Sequence, residues 1–417
     1  MRILLLCPYF PPEIGTGPHM PFELGESLVK LGHAVAVVTG FPRYHVPVTP
    51  QEYRGRLWCR EQMAGIDVFR IRFPDVGGKV KIIRGTAHLL APAILALRAL
   101  PLAQPDVVSA ATPPLALGLA ARLVARRFHV PCVVNVQDLF PQSAVDLGVL
   151  RNRVAIRFFE AMERFIYRSS DAITVMSDGN RDYVIGKGSK PERVITVPNW
   201  VDAEEIRPAD RHNDFRAFHG LHDDFVVLFA GTMGWSQGLG TVVEAARELA
   251  AEPGLVFFMV GDGVEKPRLQ KQAAGLTNVR FLPIQPKEVY PQVLAASDAG
   301  LVTLRPEVAT PTVPSKIGTI MAAGRPILAS VPLHGDAPRL VTSAAAGVVV
   351  RPGDAHALAA AILQLKHDRA AAEQMGQNGR RYAETHLSRS AIVARIATIF
   401  QRAAQGKDLQ GGIPVTT

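Results

Sequence analysis

The chain reads as a repeated unit: an apolar run, a loop punctuated by glycine or proline, an amphipathic helix, and a further apolar run. MRILLLC is followed by a glycine-containing loop, then PFELGESLVKLGH, then AVAVVTG. In the helical stretch Phe22, Leu24, Leu28 and Leu31 form an apolar stripe, and Gly32-His33 ends it. DVFRIRF, DVVSAA, CVVNVQD, AITVMS and VITVPN follow, with helical stretches such as LALGLAARLVARR between several of them. Strands that alternate with helices predict a parallel α/β sheet.

The pattern pauses at Asn199 to Phe218, which is polar and reads as an interdomain linker. It restarts with FVVLFAGTMG and continues through LVFFMVGDG, VRFLPI, AGLVTL, RPILASV and GVVVRPGD. One core rarely grows past roughly 250–300 residues, and the chain has 417. The expected class is therefore α/β, with two Rossmann-like doubly wound domains facing across a cleft. Residues 1–200 form the first and 201–385 the second. A helix over 386–405 returns to the first domain, and 406–417 is a flexible tail.

Composition narrows the class further. Hydrophobic residues make up 48% and charged ones 20%, which excludes a disordered chain. Cys7, Cys59 and Cys132 have neither metal nor redox spacing, so a reducing compartment is expected. The apolar start breaks at Pro8 and lacks a cleavage site, so it reads as a strand and not as a signal peptide. His88 to Ala103 is interrupted by Pro92, Arg98 and Pro101 and is too short to span a bilayer, so it reads as a buried or surface helix. Residues 1–200 hold 24 lysines and arginines against 16 acidic residues, and the remainder 22 against 21. A basic half suggests an anionic partner, and a compositional taste for arginine is the alternative. With no zinc finger, basic helical arm or aromatic-interleaved RNA motif, no nucleic acid is expected, and an anionic membrane surface is the better candidate. Lys79, Lys81 and Arg84, and the cluster Arg151, Arg153 and Arg157, are the residues that would meet it.

Candidate chemistry lies in loops after strands. Glu13-Ile14-Gly15-Thr16-Gly17-Pro18-His19 follows the first strand, where doubly wound sheets bind ligands and glycines let backbone amides approach a phosphate. A plain tight turn accounts for it as well, because the three-glycine dinucleotide fingerprint is missing. Phe229 to Leu239, with Gly231, Thr232, Ser236 and Gln237, and then Val260-Gly261-Asp262-Gly263, repeat the arrangement in the second half. The most informative run is Val313 to Ala329. A helix begins near Pro314 and stops at Gly324, which puts Ser315 and Lys316 beside free amides in its first turn. That is a ready anion site, with an ammonium added as a point charge, and an ordinary solvated lysine is the alternative.

PSKIGTIMAAGRPILAS, taken in order with the opening loop, LGHAVAVVTG, VPNWVD, GTMGWSQGLGTVVEAA and VGDG, resembles glycosyltransferase family 4, of the GT-B architecture. The resemblance spans nearly the whole chain. Val136 to Val145, VQDLFPQSAV, resembles a narrower group that builds O-antigen, colanic-acid-like and other surface polysaccharides, with fucosyl- and N-acetylfucosaminyl-type donors among their substrates.

The resemblance implies a retaining transfer from a nucleoside diphosphate sugar, UDP- or GDP-linked, to a lipid-linked acceptor at the cytoplasmic face of the cell membrane. No cofactor or metal is required. Lys316, with Asp138 and Gly17, would carry catalysis. Gly15 and Thr16 would reach the diphosphate from the first domain. Gly231, Thr232, Ser236 and Gln237 would do so from the second, with Ser315 at the helix start. Gly261, Asp262, Gly263, Phe281 and Ile284 would lie near the base and ribose, with Thr319 at the ribose. His19 and Gln137 would lie on the acceptor side.

The chain also departs from the family pattern. Thr232 and Gln237 stand where the family has Arg and Lys, Pro311 and Thr319 where it has two glutamates, and Gln137 where many members have His. These losses make Lys316 more important and leave Arg305, after the strand Gly300–Leu304, as the next cation to consider. They also keep open a non-catalytic subunit that binds a nucleotide sugar or a partner enzyme. An NAD-type oxidoreductase is disfavoured by the missing fingerprint.

Overall fold

The computed structural model describes residues 1–13, 16–42, 51–73 and 81–409, apart from the side chains of 16 and 81–88. It divides into two compact units. The first comprises Met1–Gln142, Leu150–Pro198 and Ser390–Thr417, and the second Ser143–Val149 and Asn199–Arg389.

The first unit holds β1 (Arg2–Leu6), β2 (Ala34–Gly40), β3 (Trp58–Met63), β4 (Ile66–Ile71), β5 (Val107–Thr112), β6 (Cys132–Val136), β7 (Ala172–Val175) and β8 (Val194–Thr196). They form one sheet in the order β3-β4-β2-β1-β5-β6-β7-β8. The pairing is parallel except between β3 and β4, which run antiparallel, so this sheet is mixed where a parallel one was expected. Ala64 and Gly65, with φ of 49° and 80°, make the two-residue turn between them; positive φ at both positions matches the twist of a hairpin.

The first helix runs over Thr16–Lys30 and contains Pro21. It begins five residues earlier than the expected stretch from Pro21. Thr16, Gly17, Pro18 and His19 are therefore helical and not loop. Pro18 fits because a first turn has spare N–H groups, whereas Pro21 leaves the Gly17 carbonyl without its intrahelical donor. The apolar run after His88 lies in the helix Lys81–Ala99, which buries Leu95, Ala96 and Ala99 and exposes Leu90 and Leu97. Among the described residues, no helix is long and apolar enough to cross a membrane.

The second unit holds β9 (Phe225–Ala230), β10 (Leu255–Val260), β11 (Val279–Leu282), β12 (Ala299–Thr303), β13 (Ile327–Ser330) and β14 (Gly347–Val350). These form a wholly parallel sheet in the order β11-β10-β9-β12-β13-β14. Alternate residues feed two cores. Val226, Leu228 and Ala230 of β9 join one, and Phe225, Val227 and Phe229 the other. Both faces are covered, which is why the strands read as continuous apolar runs.

The polar stretch Asn199 to Phe218 is not a free linker. It buries Val201, Ala203, Ile206 and Phe215 in the second unit. Arg216, 1% exposed, donates to Asp298 at 2.6 Å and to the carbonyls of Ala296, His222 and Asp224. Asp298 also accepts from Arg211, Arg369 and the Val226 amide. A buried charge needs such partners. The last helix runs over Arg389–Ala404. Beyond it Leu409 is buried, and 410–417 of the expected tail lie outside the described residues.

Candidate active site

In the second sheet the chain reverses its direction of growth between β9 and β12. Ligands of open α/β sheets bind outside the strand ends at such a switch point. The loops that leave β9 and β12 meet there: the Arg305 amide donates to the Ser236 carbonyl at 2.9 Å. Gly238, at φ 61°, would place a Cβ 3.2 Å from the Leu304 carbonyl oxygen.

The loops after β9 and β10 are joined backbone to backbone. The Gly231 amide donates to Val260 O at 2.9 Å and the Met233 amide to Asp262 O at 2.8 Å. Gly261 and Gly263 have φ of 141° and 153°, and a Cβ on either would lie 1.9 Å from Gly231 O or 2.4 Å from Met233 O. Only glycine fits both the space and the dihedral. The loop beneath is held by Lys266, whose Nζ donates to Gly261 O at 2.8 Å, and by buried Glu265, whose amide donates to Met233 O.

Lys316 opens the short helix Lys316–Ala322. Its side chain runs along Gly231, where a Cβ would sit 2.7 Å from Lys316 Cε. Its Nζ donates to Gln237 Oε1 at 2.8 Å and lies 4.8 Å from the centre of the Phe229 ring. Among the described residues it has no carboxylate partner. Burial alone lowers its pKa from 10.5 to about 8. A half-buried ammonium at a switch point, with no carboxylate partner among the described residues, is a candidate for holding an anion. Gln237, noted above for lacking the family's lysine, is the acceptor that holds this ammonium. A lysine there would set two cations side by side.

The other expected residues of this unit are less concentrated. Thr232 and Asp262 are exposed, and Asp262 accepts from the next amide, Gly263 N, at 2.9 Å. Ser315 is exposed and makes no side-chain cap. Thr319 Oγ1 donates to the Lys316 carbonyl at 3.0 Å and lies 3.5 Å from the Tyr290 hydroxyl, whose pKa burial raises. Phe281 lies on the edge strand β11 and packs into the core, while Ile284 beyond it is exposed. Arg305 stacks on Trp235 with its guanidinium 5.9 Å from the ring centre and 3.8 Å from Glu265.

In the first unit the switch lies between β1 and β5. Gln137 and Asp138 follow β6, and the Gln137 amide donates to Thr112 O at the end of β5. The Gln137 side chain donates to Asn135, which donates to Thr174 at 2.8 Å. Asp138 is exposed and His19 half-buried. A Cβ on Gly17 would meet nothing within 4 Å. Gly15, the Thr16 side chain and Lys79 lie outside the described residues, as do the side chains of Lys81 and Arg84.

One positioning residue escaped the sequence reading. Arg70 is fully buried in β4 and donates to the carbonyls of Gly40 and Pro11 and to Glu61 at 2.6 Å, which ties down the loop after β1. Its signal was an arginine in the middle of an apolar strand.

Two doubly wound α/β units, the second with a lysine lying against a glycine loop at its switch point, define a GT-B molecule. A model of the glycosyl transferase 4-like domain matches residues 17–200, and one of the glycosyl transferases group 1 matches 224–368. The chain belongs to this family and is a glycosyltransferase. It is 29% identical to WcaI of Escherichia coli (strain K12), named for colanic acid biosynthesis, over 94% of this chain and 98% of that protein. Sucrose-phosphate synthase from Thermosynechococcus elongatus shares the fold with a TM-score of 0.76 and 19% identity, covering 98% of this chain and 100% of that one. HepE from Anabaena, solved with UDP, does so with a TM-score of 0.70 and 19% identity, covering 95% and 98%.

Proposed function

We propose that the chain transfers a sugar, with retention, from a UDP- or GDP-linked donor to a hydroxyl of a lipid-linked glycan at the cytoplasmic face of the cell membrane, in the biosynthesis of a surface polysaccharide. The observation that carries this is Lys316, an ammonium without a carboxylate partner among the described residues, held against Gly231 by Gln237. It suits the diphosphate of a nucleotide sugar. WcaI, named for colanic acid biosynthesis, and HepE, crystallised with UDP, support the choice of product and donor.

In this reading the bond from the sugar to the diphosphate breaks as the acceptor oxygen bonds to the same face of the anomeric carbon. The acceptor proton passes to the departing phosphate. Negative charge grows on the leaving nucleotide, and Lys316 stabilises it most where it is greatest, in the transition state. The donor phosphate is the base, so the protein supplies position and charge and needs neither a carboxylate nucleophile nor a metal. Gly17 and Asp138 would serve catalysis with Lys316, His19 and Gln137 would lie on the acceptor side, and Arg305 is a second cation for the donor.

Thermal unfolding with UDP, GDP and NAD tests the donor class. A diphosphate at about 100 times its Kd adds about 2.7 kcal/mol, so one or both nucleoside diphosphates raise the Tm by several degrees. A shift with NAD alone overturns the reading. Mass spectrometry of the lipid-linked glycan that accumulates without the protein identifies the acceptor. An unchanged glycan pool overturns the polysaccharide role.

A further inference from the structure

The helix Arg153–Ser169 is apolar on two opposite sides. Its inner side buries Ile166 and Tyr167, with Glu163 between them. Its outer side carries Val154, Phe158 and Phe165, which are 77%, 51% and 57% exposed, with exposed Ala161 among them. At about 100° per residue these four fall within an arc of roughly 60°, facing away from Glu163. Arg168, Arg157, Arg164 and Arg153 follow in order along one flank of that stripe, and Arg151 precedes the helix. The acidic residue on this flank is Glu160, 3.8 Å from Arg164. The buried Glu163 is paired inward with Lys187 at 3.3 Å.

We propose that this face is the docking surface for an anionic lipid bilayer, with the Phe158–Phe165 stripe in the boundary between headgroups and acyl chains and the arginines on lipid phosphates. An exposed apolar stripe edged by arginines is the form that lies in a membrane interface. Charge decides between occupants. A second copy would set one arginine row against another. A stripe one helix wide is also narrow beside the about 800 Å² that each partner of a stable dimer buries. The inference deepens the proposed function by naming the surface that meets the membrane, and it rests on that reading for the choice of a bilayer.

Flotation of the full chain with phosphatidylcholine vesicles, with and without phosphatidylglycerol, tests it. Neither donor nor acceptor is needed, so failure here and failure of transfer are separate results. The protein floats with the anionic vesicles at low salt and is released by high salt. Replacing Arg153, Arg157 and Arg164 together by Gln weakens partition by about a hundredfold. Phe158→Trp, conservative and exposed, gains emission that brominated lipid quenches beyond the wild-type background. Equal recovery on neutral and anionic vesicles, an arginine variant that floats like wild type, or an unquenched Trp on floating protein overturns the proposal. So does a dimer in light scattering that Phe158→Ser with Phe165→Ser abolishes, which would assign the stripe to a second copy.

Discussion

A lysine half-buried without an anion gives up its proton early, and Lys316 does so at about 8. A bound diphosphate favours the charged form and raises that value again. Donor binding above pH 8 therefore takes up a proton, and kcat/KM for the donor falls with an apparent pKa near 8, a limb that Lys316→Ala lacks. A wild-type profile flat from pH 7 to 9.5 would remove Lys316 from the donor site. The stability term has the opposite sense. The folded pKa lies below the unfolded one, so the unfolded chain binds more protons between about 8 and 10.5, and this group's contribution to stability rises with pH across that window. At neutral pH its charge is a burden to the fold. Lys316→Ala accordingly keeps or raises the Tm while turnover at saturating donor falls by at least about tenfold, towards the 100- to 1000-fold typical of a lost transition-state donor. Lys316→Arg rescues only partly, because a planar fork cannot occupy the point where Gln237 holds an ammonium. Near-wild-type turnover in Lys316→Ala would move the task to Arg305.

At the scale of elements, the loops after β9 and β10 act as one unit because glycines let their backbones touch. Gly261→Ala places a methyl group 1.9 Å from Gly231 O at a φ of 141°, so one loop must move. A cost of at least about 2 kcal/mol follows, or several degrees in the Tm of a domain this size. Because Gly231 flanks Lys316, donor affinity drops as well. An Ala variant with unchanged Tm and affinity would show that the loops are not braced against each other. These strands and glycines were legible in the sequence because their causes are local: double-sided burial leaves unbroken apolar runs, and positive φ calls for glycine. β3 was not legible. It is an edge strand reading WCREQM, in which exposed positions alternate with buried or half-buried ones and charged residues fall in both sets, as edges tend to be. The stretch 199–218 read as solvated because its arginines find Asp298 more than eighty residues away. In the site, Lys316 stood out on residue type and helix start. The hydrogen bond that fixes it spans 79 positions, and no local pattern signals it.

For the whole molecule, the last helix is the segment whose place in sequence and place in the fold differ. It follows directly on the second unit, yet from Ser390 it belongs with the first. It buries Ile392, Val393, Ile396, Ala397, Ile399 and Phe400. At about 2 kcal/mol for each large side chain, that burial is worth roughly 10 kcal/mol, an upper value but comparable to the 5–15 kcal/mol that holds a whole domain together. The second unit closes its two cores without these residues, using β9 to β14 and the helices up to His386. A chain ending at Arg389 is therefore expected to lose its first unit and keep its second. Hydrogen exchange read peptide by peptide distinguishes the two. Amides of β1, β5 and β6 lose protection, those of β9, β10 and β12 retain it, and nucleoside diphosphate still slows exchange around Gly231 and Lys316. Full protection of β1, β5 and β6 in the shortened chain would make the last helix an accessory to the first unit. Loss of protection in β9 and β10 would mean that the second unit cannot stand without the first.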